Sequence, residues 1–222
     1  MHIIPAIHVQ SFSELEERVG LVKDVVDLVQ VDVFDGRYVD SKSWPYIGDT
    51  GEFARILKEE SGLPFWERVD YEFDLHVQEP EGVIADYVRA GASRVLLHLE
   101  STAQMEDIIH EWKGVVDIGI ACKPSTPLGE LDSYMHEVTR VQFMGHDYVG
   151  HSGLTLDPRV FDRIRHFREK YPKHEVSVDI GVNRETAPKL ISAGATYLAV
   201  TSAIFNTANP AQAIKELETL FI

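Results

Sequence analysis

Eight short apolar runs of strand length alternate with amphipathic stretches of helix length from one end of the chain to the other. The runs fall at His2–Ile7, Leu28–Val33, Phe73–Val77 and Arg94–Leu99, then at Asp117–Ala121, Val141–Met144, Glu175–Asp179 and Tyr197–Val200. This order implies a parallel sheet with helices packed outside it. Helical faces show at 3.6-residue spacing in Leu15, Val19 and Val22, in Val160, Ile164 and Phe167, and in Ile214, Leu217 and Phe221. Ser11 with Glu14 fits a capping box, and Asp157-Pro158 and Asn209-Pro210 each put a capping side chain before proline at the first helical position. Ala90-Gly91-Ala92 and Ala193-Gly194-Ala195 end two helices in the same way. Eight units in strict alternation predict a single-domain (β/α)8 TIM barrel of the α/β class over residues 1–222. An open doubly wound sheet would need a glycine-rich first turn, which Pro5–Ser11 lacks. Val39–Gly51 reads as a long loop at the C-terminal face of the strands, where such barrels build their active sites.

The formal charge of −15 argues against a nucleic-acid backbone as partner. A small anion is still compatible, because backbone N–H groups can bind phosphate inside an acidic protein. No apolar stretch approaches the roughly 18 residues that cross a bilayer, so no membrane partner is expected. Met1–Ile7 reads as a strand and not as a signal peptide. The lone cysteine, Cys122, excludes an internal disulfide, reads as a core thiol and fits a reducing cytoplasm, the expected location.

At the strand C-termini the polar residues are Asp32 and Asp35 after the second strand, His76 on the third and Asp179 on the seventh. Buried charges at such tips are costly unless paired or bound to metal. Asp32 and Asp179 come from opposite sides of the barrel mouth. That spacing suits two-base proton transfer, with His76 completing a site for one divalent metal, zinc, iron or manganese. The residues alone also allow the plainer reading, in which the aspartates cap a turn and His76 is a hydrogen-bonded core residue.

Five segments resemble the ribulose-phosphate 3-epimerases, in family order and across nearly the whole chain. They are Gln30-Val31-Asp32-Val33-Phe34-Asp35-Gly36, Asp74-Leu75-His76-Val77, Lys123-Pro124-Ser125-Thr126-Pro127, Val178-Asp179-Ile180-Gly181 and Ser202-Ala203-Ile204-Phe205. The resemblance implies that Asp32 and Asp179 are the acid/base pair, and that Asp32, His76 and Asp179 are ligands of a divalent metal. It also implies a small sugar phosphate as partner and a homo-oligomeric assembly. The family's second histidine ligand falls at Gln30, a weaker neutral donor, which leaves metal affinity low or absent. Val9 stands where the family has serine, and Phe34 and Gln78 where it has shielding methionines; Met144 is retained. Gln78 is therefore expected to make the wall of the site more polar.

For the phosphate, the resemblance points to Gly150 and Gly153 after the sixth strand, with Ser152 replacing a third glycine, to Gly181 after the seventh, and to Thr201 and Ser202 after the eighth. Ile180 and Thr201 replace glycines and could crowd the anion. His146, Asp147 and His151 raise a second-metal reading, although their spacing is no recognised ligand pattern. His98 and Glu100 match family positions where a structural hydrogen bond is expected. The leading reading is a ketose-phosphate 3-epimerase acting on ribulose 5-phosphate through a metal-stabilised enediolate. The alternative is a barrel that binds sugar phosphate with little or no catalysis. An aldolase or decarboxylase fits less well, since no lysine lies between Lys23 and Lys42.

Overall fold

In the computed structural model, which describes residues 2–151 and 153–221, β1 (His2–Ile7) pairs on one side with β2 (Leu28–Phe34) and on the other with β8 (Tyr197–Val200). Between them run β3 (Asp70–His76), β4 (Ala92–His98), β5 (Asp117–Cys122), β6 (Arg140–Met144) and β7 (Glu175–Asp179). All eight neighbouring pairs are parallel and the sheet is a closed barrel in chain order. Every expected strand is present, with ends shifted by no more than three residues.

The helices are α1 (Phe12–Val22), α2 (Glu52–Leu57), α3 (Ile84–Arg89), α4 (Met105–Trp112), α5 (Arg159–Lys170), α6 (Ala187–Ala193), α7 (Ser202–Phe205) and α8 (Pro210–Glu218). Their distribution corrects the strict alternation. The β5–β6 crossover has only a 3₁₀ turn at Leu128–Leu131, while two helices follow β8. Pro124, Pro127 and Gly129 deny that crossover a continuous helical run, yet it still buries Leu131, Met135 and Val138 against the barrel.

Two helix starts differ in detail. Glu14 N donates to Ser11 Oγ at 3.3 Å, but the Glu14 carboxylate turns back to the N–H of Gln10 instead of Ser11. Pro158 precedes the first residue of α5 and Asp157 Oδ1 accepts from Arg159 N at 2.9 Å, whereas Asn209 caps α8 with Pro210 at the first helical position.

The apolar core lies between the outer faces of the strands and the helices. Val29, Val31, Phe73, Leu75, Val141 and Val178 meet Leu15, Val19, Ile108, Val160, Ile164 and Leu217 there. Alternation sends the intervening residues inward. The barrel interior is consequently polar: Gln30, Asp32, Glu72, Asp74, His76, His98, Arg140, Gln142, Ser177 and Asp179 are all buried.

Candidate active site

Asp32, His76 and Asp179 converge on one cavity at the C-terminal mouth, of about 200 Å³. The register explains how. Asp32 lies beside Asp74 across β2 and β3, Phe34 beside His76, and Met144 beside Asp179 across β6 and β7. One donor atom from each of Asp32, Asp74, His76 and Asp179 lies within 4.8 Å of all the others. Three carboxylates and an imidazole so close together, and shielded from water, fit a divalent cation, because mutual repulsion and burial otherwise leave their charge uncompensated.

Electrostatics separate the three carboxylates. Burial, followed by the Asp179 and Asp74 carboxylates, holds Asp32 well above the usual carboxylate range, against His76 and a hydrogen bond from Gln30. Burial and Asp74 push Asp179 up to about 7, opposed by the N–H of Ile180. Asp74 behaves oppositely: burial raises it, but His76 and His98 outweigh that and hold it well below its ordinary value.

Asp74 is the hub that residue-by-residue reading misses. Its carboxylate accepts from His98 Nε2 at 3.0 Å and Gln142 Nε2 at 2.8 Å, and His76 Nε2 stands 3.2 Å away. It therefore restrains the His76 ring from the Nε2 side. The signal was available as a period of two: Glu72, Asp74 and His76 alternate with Tyr71, Phe73 and Leu75 on a strand buried on both faces. Gln30 donates from Nε2 to Asp32 Oδ1 at 2.7 Å, while its Oε1 is buried without a hydrogen-bond partner among the described residues.

Asp35 is not part of the cavity lining. Its carboxylate accepts from the N–H groups of Arg37, Tyr38 and Gln78, so the turn-capping reading holds for Asp35. The expectation for Gln78 is also corrected. Its amide is turned away to Ser101 O at 2.8 Å, and it lies outside the cavity wall. Phe34, which lines the cavity, is backed by an apolar cluster of Val39, Ala121, Met144 and Val149. Glu100 accepts from Tyr38 Oη, Lys123 N and Thr126 Oγ1, a structural role. The second-metal reading has no geometry behind it, since Asp147 pairs with Arg159 at 2.6 Å and His151 stacks on Tyr148.

Gly150, Gly153, Gly181, Thr201 and Ser202 line the same cavity; Ser152 lies outside the described residues. Gly181 has φ +76, and a Cβ there would meet Leu156 N at 2.6 Å, so glycine is required. Ile180 keeps the left-handed backbone (φ 71) usual for glycine, a strained state for a β-branched residue that its neighbours must hold in place. Sequence reading also misses two residues of the lining, Arg18 and His8, whose ring packs edge-on against Phe34 at 4.6 Å.

This arrangement places the chain in the class of (β/α)8 barrels whose small-molecule cavity opens at the C-terminal end of the strands. Residues 2–205 match the ribulose-phosphate 3-epimerase family, and the chain belongs to that family. It is 30% identical over 221 residues to a ribulose-phosphate 3-epimerase of Schizosaccharomyces pombe, covering 97% of this chain and 91% of that one. It is 28% identical over 225 residues to that of Bacillus subtilis, covering 97% of each. Among solved structures, 3-hexulose-6-phosphate synthase from Salmonella typhimurium superposes with a TM-score of 0.71 at 16% identity, covering 99% of this chain and 98% of that one. Orotidine 5'-phosphate decarboxylase from Pyrococcus horikoshii OT3 does so at 0.66 and 22%, covering 98% of each. At those identities the likeness is one of fold. No helix of the described residues is long and apolar enough to cross a membrane.

Proposed function

We propose that this protein is a ketose-phosphate 3-epimerase interconverting ribulose 5-phosphate and xylulose 5-phosphate, with Asp32 and Asp179 as its two catalytic residues. The observation that carries the reading is that these two buried carboxyls, both raised above the ordinary range, come from strands separated by β1 and β8 to one cavity. Repulsion between them favours a pair that holds one proton near neutral pH. The ionised member removes the proton from carbon 3. The electron pair left behind delocalises into the neighbouring carbonyl, and the protonated member returns a proton to the opposite face of the same carbon. The two then have exchanged states, which makes the reaction reversible.

Asp32, His76 and Asp179 would hold a divalent cation, with Asp74 orienting His76; when bound, it supplies positive charge for the oxygens of the developing enediolate. Gln30 orients Asp32 through its amide N–H and offers Oε1 as a neutral donor. Phe34 packs edge-on against the His76 ring at 4.7 Å and keeps water from the reacting carbon. Gly150, Gly153, Gly181, Thr201 and Ser202 would receive the phosphate.

A barrel that binds sugar phosphate without turning it over is the second reading. Gln30 in place of a ligating histidine favours it. Ribulose 5-phosphate supplied to chelated protein and to protein reloaded with zinc, iron or manganese separates the two. Xylulose 5-phosphate should form in at least one reloaded sample and be much reduced after chelation. Binding of substrate without conversion under every metal would overturn the epimerase.

A further inference from the structure

The cavity has an acidic floor, Asp32 and Asp179, in a chain of net charge −15. A phosphate dianion entering it meets an unfavourable field that backbone dipoles must counter, unless a full positive charge lies alongside. A cation, paired on one side with Glu14, is present. Arg18, on the second turn of α1, lines the cavity together with Ser202 and Asn206, residues of the β8–α8 connection.

The guanidinium is held from two sides. Its Nε and Nη2 donate to Glu14 Oε1 at 3.2 and 2.9 Å, and Cζ sits 5.3 Å from the centroid of Phe205, the last residue of α7. Glu14 is itself tied down, since its other carboxylate oxygen accepts from Gln10 N at 2.9 Å. These contacts engage Nε and Nη2; Nη1 makes no hydrogen bond among the described residues. A solvent-exposed Arg–Glu pair one turn apart would add little to stability. This one is partly enclosed, with 29% of the arginine side chain exposed, and it faces a ligand cavity.

We propose that Arg18 is a specificity-determining residue that donates to the substrate phosphate and so selects phosphorylated over free ketoses. The assignment rests on the sugar-phosphate reading above. Glu14 and Phe205 preset the guanidinium, so little side-chain freedom is lost on binding. A charge-assisted hydrogen bond of this kind corresponds to roughly tenfold to hundredfold in affinity.

The test is calorimetric titration of inorganic phosphate at low ionic strength into the wild-type chain, Arg18→Gln and Arg18→Lys, followed by kinetics with ribulose 5-phosphate. Arg18→Gln should weaken phosphate binding by about tenfold or more and raise KM by a similar factor, with kcat within about threefold of wild type. Arg18→Lys should recover part of the loss, which a purely structural arginine would not require. If wild type and Arg18→Gln bind phosphate equally, the role given to Arg18 is wrong and the sugar-phosphate reading stands. If neither phosphate nor ribulose 5-phosphate binds the wild-type chain, both fail.

Discussion

Asp32 and Gln30 show how the residue two positions earlier on a strand sets what a buried carboxylate can do. With a histidine two residues before it, an aspartate would share a cation with a second imidazole; with Gln30 it accepts an amide hydrogen bond at 2.7 Å instead. Replacing Gln30 by histidine should therefore strengthen binding of zinc or manganese by about tenfold or more. A chelator-competition titration reads this directly, and equal affinity for both forms would place Gln30 outside the coordination sphere. Legibility at this scale was uneven. Asp32, His76 and Asp179 are readable because each is a polar residue at the tip of an apolar strand. Asp74, Gln142 and Glu72 carry a period of two against Phe73, Leu75, Val141 and Phe143, which signals a strand but not which face it turns inward. Arg18 is masked: beside Glu14 on an amphipathic helix, it reads as an ordinary surface pair.

Elements act on the site through close contact of backbone. Gly145, the first residue after β6, donates its N–H to Asp179 O at 2.5 Å and accepts from Asp157 N at 2.7 Å, pinning the end of β7 to the β6 loop. A Cβ at Gly145 would fall 1.9 Å from Ile180 O, so the two segments could not approach this closely with any other residue. Gly145→Ala should cost about 2–3 kcal/mol in urea unfolding and, by displacing Asp179, lower turnover in the fraction that remains folded. Unchanged kinetics would mean that Asp179 is positioned independently of that loop. Strands and caps were legible at this scale because apolar runs and Asn209-Pro210 are local signals. The missing helix between β5 and β6 was not, since a segment of strand-connecting length was read as helical although Pro124, Pro127 and Gly129 break it. The outward turn of Gln78 depends on Ser101, which follows the next strand, and no local pattern reports it.

The whole barrel divides stability from chemistry along its axis. At the N-terminal end Glu72 is fully buried between Arg140, at 2.7 Å, and Arg94, at 3.0 Å; Glu175 and Asp117 close the cluster, and Tyr197 lies under the Arg140 guanidinium at 3.6 Å. Removing Arg140 leaves the buried Glu72 with Arg94 alone, so Arg140→Met should destabilise the fold by about 3 kcal/mol. Urea unfolding reads the loss, and kcat per folded molecule should stay unchanged; a loss of kcat would show that the two ends are coupled. The fold class was legible at this scale, because eight strand signals in sequence admit few closed topologies. The chemistry of the C-terminal end is tested most directly by the carbon-3 proton. Ribulose 5-phosphate incubated with metal-loaded protein in deuterated water should take up deuterium at carbon 3, followed by NMR, at a rate that falls about a hundredfold or more in Asp32→Asn and in Asp179→Asn. Exchange that persists in either variant, or no exchange in the wild-type chain under any metal, would contradict the two-aspartate epimerase.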